Sequence, residues 1–221
     1  MKKIKLIILQ LIVLLMFASS CKKASANQNE ISKNIIKKDT TDTMRNNLPY
    51  TSDNVKQYYK YDTVSVSYIV DMVQKGLSFK NFDEENKRIH LKENDFEVQL
   101  NPKYEYYILE TFKFSQTNTA KLIIYNTFGE NDSKILNIQL NSYLDNKLVD
   151  QLLLDCRFIF ETEYYRTFII DADKKIEIVK HTVDNLEYNE AGDIIGEKEL
   201  ADSTKIKVNY TLDPSGKFIK Q

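Results

Sequence analysis

The chain has 221 residues with 31 basic and 32 acidic side chains, a net charge of −1, and only five Gly, three Pro and two Cys against 14 Tyr and 11 Phe. Such a balance carries no electrostatic footprint for nucleic acid. Few turn-breaking residues and many aromatic ones describe regular strands joined by short turns, in a chain long enough for one domain with a sizeable core.

Residues 1–21 open with Lys2, Lys3 and Lys5, continue through an apolar run from Leu6 to Ala18, and close on Ser19, Ser20 and Cys21. A positive start, a short apolar core and small residues at the end make a secretory signal peptide. A membrane-spanning helix needs roughly 20 apolar residues, and this run is shorter and carries Gln10. The segment Phe17-Ala18-Ser19-Ser20-Cys21 resembles the lipobox of bacterial lipoproteins, with Ala18 where Leu is usual. The resemblance implies that Cys21 is lipidated and becomes the mature N-terminus, holding the protein on a membrane of the cell envelope. Lys22 in place of Asp gives no inner-membrane retention signal of the enterobacterial kind, so the expected site is the outer membrane, on its periplasmic or surface face. The Lys-, Asn- and Ile-rich wording is similar in style to uncharacterised lipoproteins of Bacteroidota. Removing residues 1–20 leaves 28 basic and 32 acidic residues, a net charge of −4.

Residues 21–47 are polar and poor in aromatics, unable to bury enough surface to offset chain entropy, and they read as a flexible tether. A single β-rich domain is expected over 48–221. Near its start, the alternation of Val64, Val66 and Tyr68 argues for a strand. In the same window Ser67 as a cap, Ile69 and Val73 on one face and Gly76 as a stop argue for a short helix over 67–75.

From Arg88 onward the period is close to two. In 95–100, Phe96, Val98 and Leu100 oppose Asp95, Glu97 and Gln99, and in 136–141, Leu136, Ile138 and Leu140 oppose Asn137, Gln139 and Asn141. Leu152, Leu154, Cys156, Phe158 and Phe160 share a face, with Asp155, Arg157 and Glu161 opposite. Ile206, Val208, Tyr210 and Leu212 alternate with Lys205, Lys207, Asn209 and Thr211. This pattern predicts antiparallel strands with one face on a core and one in water. Stretches 104–112 and 120–125 are apolar on both faces and read as doubly covered strands. Turn residues at 145–147, 171–174, 189–193 and 213–216 separate the strands, and 148–183 reads as an extended, twisted hairpin. The fold class is all-β, an antiparallel meander of hairpins forming a curved sheet, a sandwich or a barrel, with one short helix near the start of the domain.

The sequence has no G-x-S-x-G, no G-x-G-x-x-G and no G-x-x-x-x-G-K. His90 and His181 stand outside any zinc-binding spacing, and His181 falls on the strand face opposite the apolar residues. Cys156, among Leu154 and Phe158, reads as a small core hydrophobe, with no partner cysteine once Cys21 carries lipid. Asp171 and Asp173 begin like a calcium loop, but Ile176 and Thr182 stand where that loop needs Gly and Glu. The acidic run Asp83-Glu84-Glu85 reads as a solvated loop. No catalytic residue, metal or cofactor is therefore assigned.

Tyr104, Tyr106, Tyr107, Tyr164 and Tyr165 are the candidates for recognition, as an exposed aromatic platform for another envelope or exported protein. Cross-strand pairing within the sheet is the competing reading. The expected function is a membrane-anchored, non-catalytic binding module of the accessory or immunity type. A carrier of apolar or lipid cargo, with a cavity between the sheet and 67–75, is the alternative, followed by a glycan hydrolase using a carboxylate pair.

Overall fold

The computed structural model describes residues 47–72, 76–129 and 133–221. Cys21, the signal segment and the tether up to residue 46 lie outside the described residues. The described chain runs β1 (Tyr50–Thr51), α1 (Ser52–Val55), a 3-10 turn, β2 (Tyr59–Asp62), β3 (Ser67–Val70), β4 (Phe79–Asn81), α2 (Glu84–Arg88) and β5 (Leu91–Lys92). The long strands follow: β6 (Glu105–Lys113), β7 (Asn118–Phe128), β8 (Lys134–Leu144), β9 (Lys147–Ile159), β10 (Glu163–Ile170), β11 (Lys175–Tyr188) and β12 (Ile194–Leu212), then the short β13 (Phe218–Lys220).

The protein is all-β. Its main sheet has eleven strands, with neighbours from β13 through β12, β11, β10, β9, β8, β7 and β6 to β4, so consecutive long strands are also spatial neighbours. The turns work as their residues demand. Asp145 and Asn146 both take positive φ, 49° and 64°, which a two-residue hairpin with right-handed strand twist requires. Lys174, Gly192 and Gly216 supply the left-handed residue at the other three tight turns.

The meander folds over at one hairpin. β9 and β10 pair only through Ile159 with Glu163 and Phe158 with Tyr164. Beyond that point β5 pairs in parallel with β9, and β1 pairs with β10. The two halves share one core, with Phe112, Leu122, Leu140 and Leu152 from β6–β9 packed with Phe168, Ile178, Tyr210 and Phe218 from β10–β13. Burying each such side chain is worth roughly 1.5–3 kcal/mol. The free Cys156 makes no disulfide, so burial and strand pairing carry the fold.

The closing contact is local. The Phe218 amide donates to Asp150 Oδ2 at 2.7 Å, Lys92 Nζ donates to the Phe218 carbonyl at 2.6 Å, and Lys92 also pairs with Asp150. Gly216, at φ +81°, leads into this contact, and a Cβ there would lie 2.7 Å from Val149 Cγ2. Gly216→Ala is expected to cost about 2 kcal/mol, from left-handed strain and the forced shift of Val149. Urea denaturation measures it, and a loss below about 0.5 kcal/mol would show that the turn does not hold β13 against β9.

Several expectations change. The helix near the start of the domain is α1. Within 67–75, Ser67–Val70 is a strand, and 73–75 lie outside the described residues. Stretch 95–100 is not a strand. Asn94 Oδ1 accepts from the Val98 amide at 2.7 Å and Glu97 sits at φ 50°, so the side-chain turn wins over the alternation. Asp83 caps α2 by accepting from the Asn86 amide at 2.9 Å, so Asp83-Glu84-Glu85 starts a helical turn rather than a loop.

The largest correction concerns the face expected in water. Asn137, Gln139 and Asn141 are buried, because the chain from Phe82 to Tyr104 lies over them. There Phe82, Leu91 and Val98 pack on Ile123, Tyr125, Leu153 and Cys156 as a second core. Asn137 Nδ2 donates to Thr127 Oγ1 at 2.9 Å while its Oδ1 has no partner among the described residues, and the others bond one another. Tyr125 Oη donates to Gln139 Oε1 at 2.6 Å, Gln139 Nε2 donates to Asn141 Oδ1 at 2.6 Å and to Gln151 Oε1 at 3.1 Å, and Gln151 Nε2 donates to the Asn86 carbonyl at 3.0 Å.

The face shared by Leu152, Leu154, Cys156, Phe158 and Phe160 also divides. Ile138 pairs with Asp155 and Gln139 with Leu153, leaving Leu154 as a bulge. One extra residue turns the strand over. Leu152 and Leu154 point into the first core, Cys156 and Phe158 into the second, and Phe160 is exposed. The longest hairpin is β11–β12 rather than 148–183.

Candidate binding clefts

The candidate tyrosines do not form one platform. Tyr106 and Tyr107 are neighbours in an extended strand and point to opposite faces. Tyr106 packs at 4.8 Å from Phe82 over the second core, and burial raises its hydroxyl pKa. Tyr104 and Tyr107 instead line an open cleft of about 300 Å³ with Phe128, flanked by Lys103, Glu105 and Lys134. The Tyr104 and Phe128 rings lie 5.9 Å apart. Asn126 holds the cleft's wall together, accepting from the Val70 amide and donating to the Tyr68 carbonyl, both at 2.9 Å.

Tyr164 and Tyr165 line a second cleft, of about 130 Å³, with Phe96, Lys180, His181 and Ile206. Tyr164 stacks on Phe158 at 5.0 Å, and Phe96 meets both rings edge-on at 4.9 and 5.1 Å. Tyr165 stacks on His181 at 4.5 Å with planes 5° apart. His181 Nε2 is 3.2 Å from Thr167 Oγ1, and burial, then Lys205 and Arg157, lowers its pKa, so the ring is neutral at pH 7. His90 is exposed, on the rim of a polar cleft with Asn94, Gln99 and Asn101.

A charged strap runs beside the second cleft, on the residues that follow β5. The buried Arg166 guanidinium donates to the Leu153 carbonyl and to Asp95 Oδ2, each at 3.1 Å. Lys180 Nζ pairs with Asp95 and, at 2.6 Å, with Glu93 Oε2. Glu93 also accepts from Tyr210 Oη and, at 2.8 Å, from Lys220 Nζ. Burial alone would push the Glu93 carboxyl up; its bonds from Lys180, Lys220 and Tyr210 outweigh that and bring it down to about 2. Burial and the Glu93 bond push the Tyr210 hydroxyl up.

A second ionic centre joins the two halves at the fold-over. Asp155 accepts from the Arg166 amide at 2.6 Å and from Arg157 Nε and Nη2 at 3.2 and 3.1 Å. The Arg157 guanidinium lies 5.0 Å from the Tyr165 ring and 5.3 Å from those of Tyr59 and Tyr68, within cation–π range of three rings. None of these charged residues stood out in the sequence, because partners up to 127 positions apart meet only through the fold-over.

Chemically, the second cleft's cations are already neutralised by Asp95 and Glu93. Burial pushes the Cys156 thiol up to about 12, so it is protonated and unreactive at neutral pH. Among the described residues no group of three His, Cys, Asp or Glu is placed to hold a metal ion. No described helix is long and apolar enough to cross a membrane.

No protein-family model and no solved structure matches the chain. The chain is similar to the Meiotically up-regulated gene 163 protein of the fission yeast Schizosaccharomyces pombe, 37% identical over 75 residues. Those residues are 32% of this chain and 40% of that protein, so the chain spans about two fifths of its relative's length. The likeness is local and carries no site residue across. The two clefts are therefore described by their own geometry, half-buried tyrosine rings set beside exposed Phe96 and Phe128.

Proposed function

We propose that the protein is a lipid-anchored component of the cell envelope that works by binding another envelope or exported protein, without catalysis. The anchor rests on the sequence of residues 1–21. The binding reading rests on one observation, that Tyr104, Tyr107, Tyr164 and Tyr165 stand half-exposed on open clefts. Tyr gives large contact area at small entropic cost, with a hydroxyl for a polar rim. The accessory or immunity role follows as its simplest form. Apolar cargo would need room between β3 and the sheet, and Tyr68, Val70 and Met72 pack there against the first core.

The test uses the full-length chain in its own cells. Mass spectrometry of the N-terminal peptide is expected to find acyl chains on Cys21, and Cys21→Ala is expected to move the protein out of the membrane fraction. Covalent cross-linking is expected to join the chain to a single envelope or exported protein. An unmodified Cys21 would end the anchor, and the absence of any protein cross-link would end the binding reading.

A further inference from the structure

Among the described residues nothing covers the distal part of the β11–β12 hairpin. From residue 184 to 209 no side chain is buried, and Tyr188, Ile194, Ile195, Leu200 and Ile206 are exposed on it. Large aliphatic groups left in water on a two-stranded ribbon have no folding role of their own, since such a ribbon is marginal by itself.

One of them is deliberately presented. Asp184 pairs with Asp202 and Leu186 with Glu197, so four residues, Lys198 to Ala201, bulge out opposite Asn185. Lys198 Nζ clamps the base of this bulge, bonding Asp184 at 2.8 Å and Asp202 at 2.9 Å. Leu200 stands on it 85% exposed. A bulge re-aims side chains and spoils strand pairing along that edge. The ribbon thus offers its faces and the bulge to a partner, rather than an edge for an added strand.

Charge decides what that partner is. Residues 184–202 hold seven acidic side chains and one basic one, Lys198, a net charge of −6, while the whole chain carries only −1. The single lysine is spent on Asp184 and Asp202. A second copy of this ribbon would bring −6 against −6, which excludes pairing through this surface between two copies.

We propose that the distal β11–β12 hairpin is the docking arm of this protein, and that it seats in a basic, apolar-floored groove of a partner protein. This rests on the binding reading above and adds to the two clefts a third surface, the one that seats the partner. Ile194, Ile195 and Leu200 enter the groove, and Glu197 and Glu199 face its Lys and Arg rim. Acidic flanks steer the encounter and apolar anchors hold it.

The test places the photo-cross-linking residue benzoylphenylalanine at Ile195 of the full-length chain, and in separate strains at Phe96 and Phe128 on the two clefts, with irradiation in isolated envelope fragments. The expected product is a heterologous adduct at Ile195 whose linked peptide is rich in Lys or Arg beside apolar residues. Its yield falls at least fivefold with Glu197→Lys/Glu199→Lys, and at least fivefold with Leu200→Glu. Both variants keep the thermal midpoint of the parent, since no side chain in this stretch is buried. An adduct that both variants leave unchanged, or one that joins two copies of the chain, overturns the docking arm. Adducts only at Phe96 or Phe128 overturn the arm and leave the binding reading intact. Adducts at none of the three overturn both.

Discussion

Asp155→Ala is expected to lower the unfolding free energy by about 3–5 kcal/mol, the cost typical of removing one partner from a buried ion pair. Asp155 is 1% exposed and sits where β9 and β10 part. The substitution leaves the Arg166 amide without its 2.6 Å acceptor and the Arg157 guanidinium without its carboxylate. Three tyrosine rings remain around Arg157, but ring quadrupoles return only about 1–2 kcal/mol to a desolvated cation. Asp155→Asn separates the two components. An amide oxygen can still accept from Arg166, so its cost should be about half, with the remainder assigned to charge. Urea denaturation of parent and variants measures both. A loss under about 1 kcal/mol for the alanine variant would mean that the fold-over is held by the cores alone, with Arg157 free to reach water.

The surroundings of Asp155 show what a period of two can and cannot reveal. Alternation located β8, β9 and the end of β12, stretches apolar on both faces located β6 and β7, and turn chemistry located the hairpins, because all of these are local. Asn137, Gln139 and Asn141 carry the signature of a solvated face, yet they are buried under a covering layer drawn from 82–104. That layer is irregular, so no periodicity announces it. The bulge at Leu154 is equally silent. It adds one residue without any Gly or Pro, and every side chain after it changes face, which is why Cys156 leaves Leu154 for the second core. Stretch 95–100 errs in the other direction, since its alternation is real but Asn94 captures the Val98 amide first. Of the residues lining the two clefts, sequence supplied four tyrosines. It could not supply Phe96, Phe128 or the Glu93 strap, whose neighbours come from strands far along the chain. The exposed hairpin was hidden for a related reason, because Ile194, Ile195 and Leu200 look like core residues by type, and only the fold leaves them uncovered among the described residues.

Glu93 makes the protein acid-sensitive in a defined window. Its folded pKa of about 2 lies below the ordinary value of 4.5, so the carboxylate favours folding whenever the unfolded chain would also be ionised. That contribution is fully present above pH 4.5 and is lost as pH falls towards 2. At 1.36 kcal/mol per unit, the gap is worth about 3 kcal/mol. Glu93→Gln should therefore cost about 3 kcal/mol at pH 7 and little at pH 2, the difference closing between those limits. Following the difference between parent and variant, rather than the parent alone, removes the contribution of other depressed carboxylates such as Asp62, Asp184 and Asp213, which titrate in both. The location of the damage is also specified. Glu93 ties Tyr210 on β12 and Lys220 on β13 to the strap, so hydrogen exchange in the variant should rise first at β13, whose amides are otherwise held only by the β12 pairing and Asp150. A difference that stays constant from pH 7 to pH 2 would show that Glu93 titrates as an ordinary surface carboxylate. Lys180 would then be balanced by Asp95 alone, and the strap would be an appendage of the sheet rather than the clasp of its C-terminal edge.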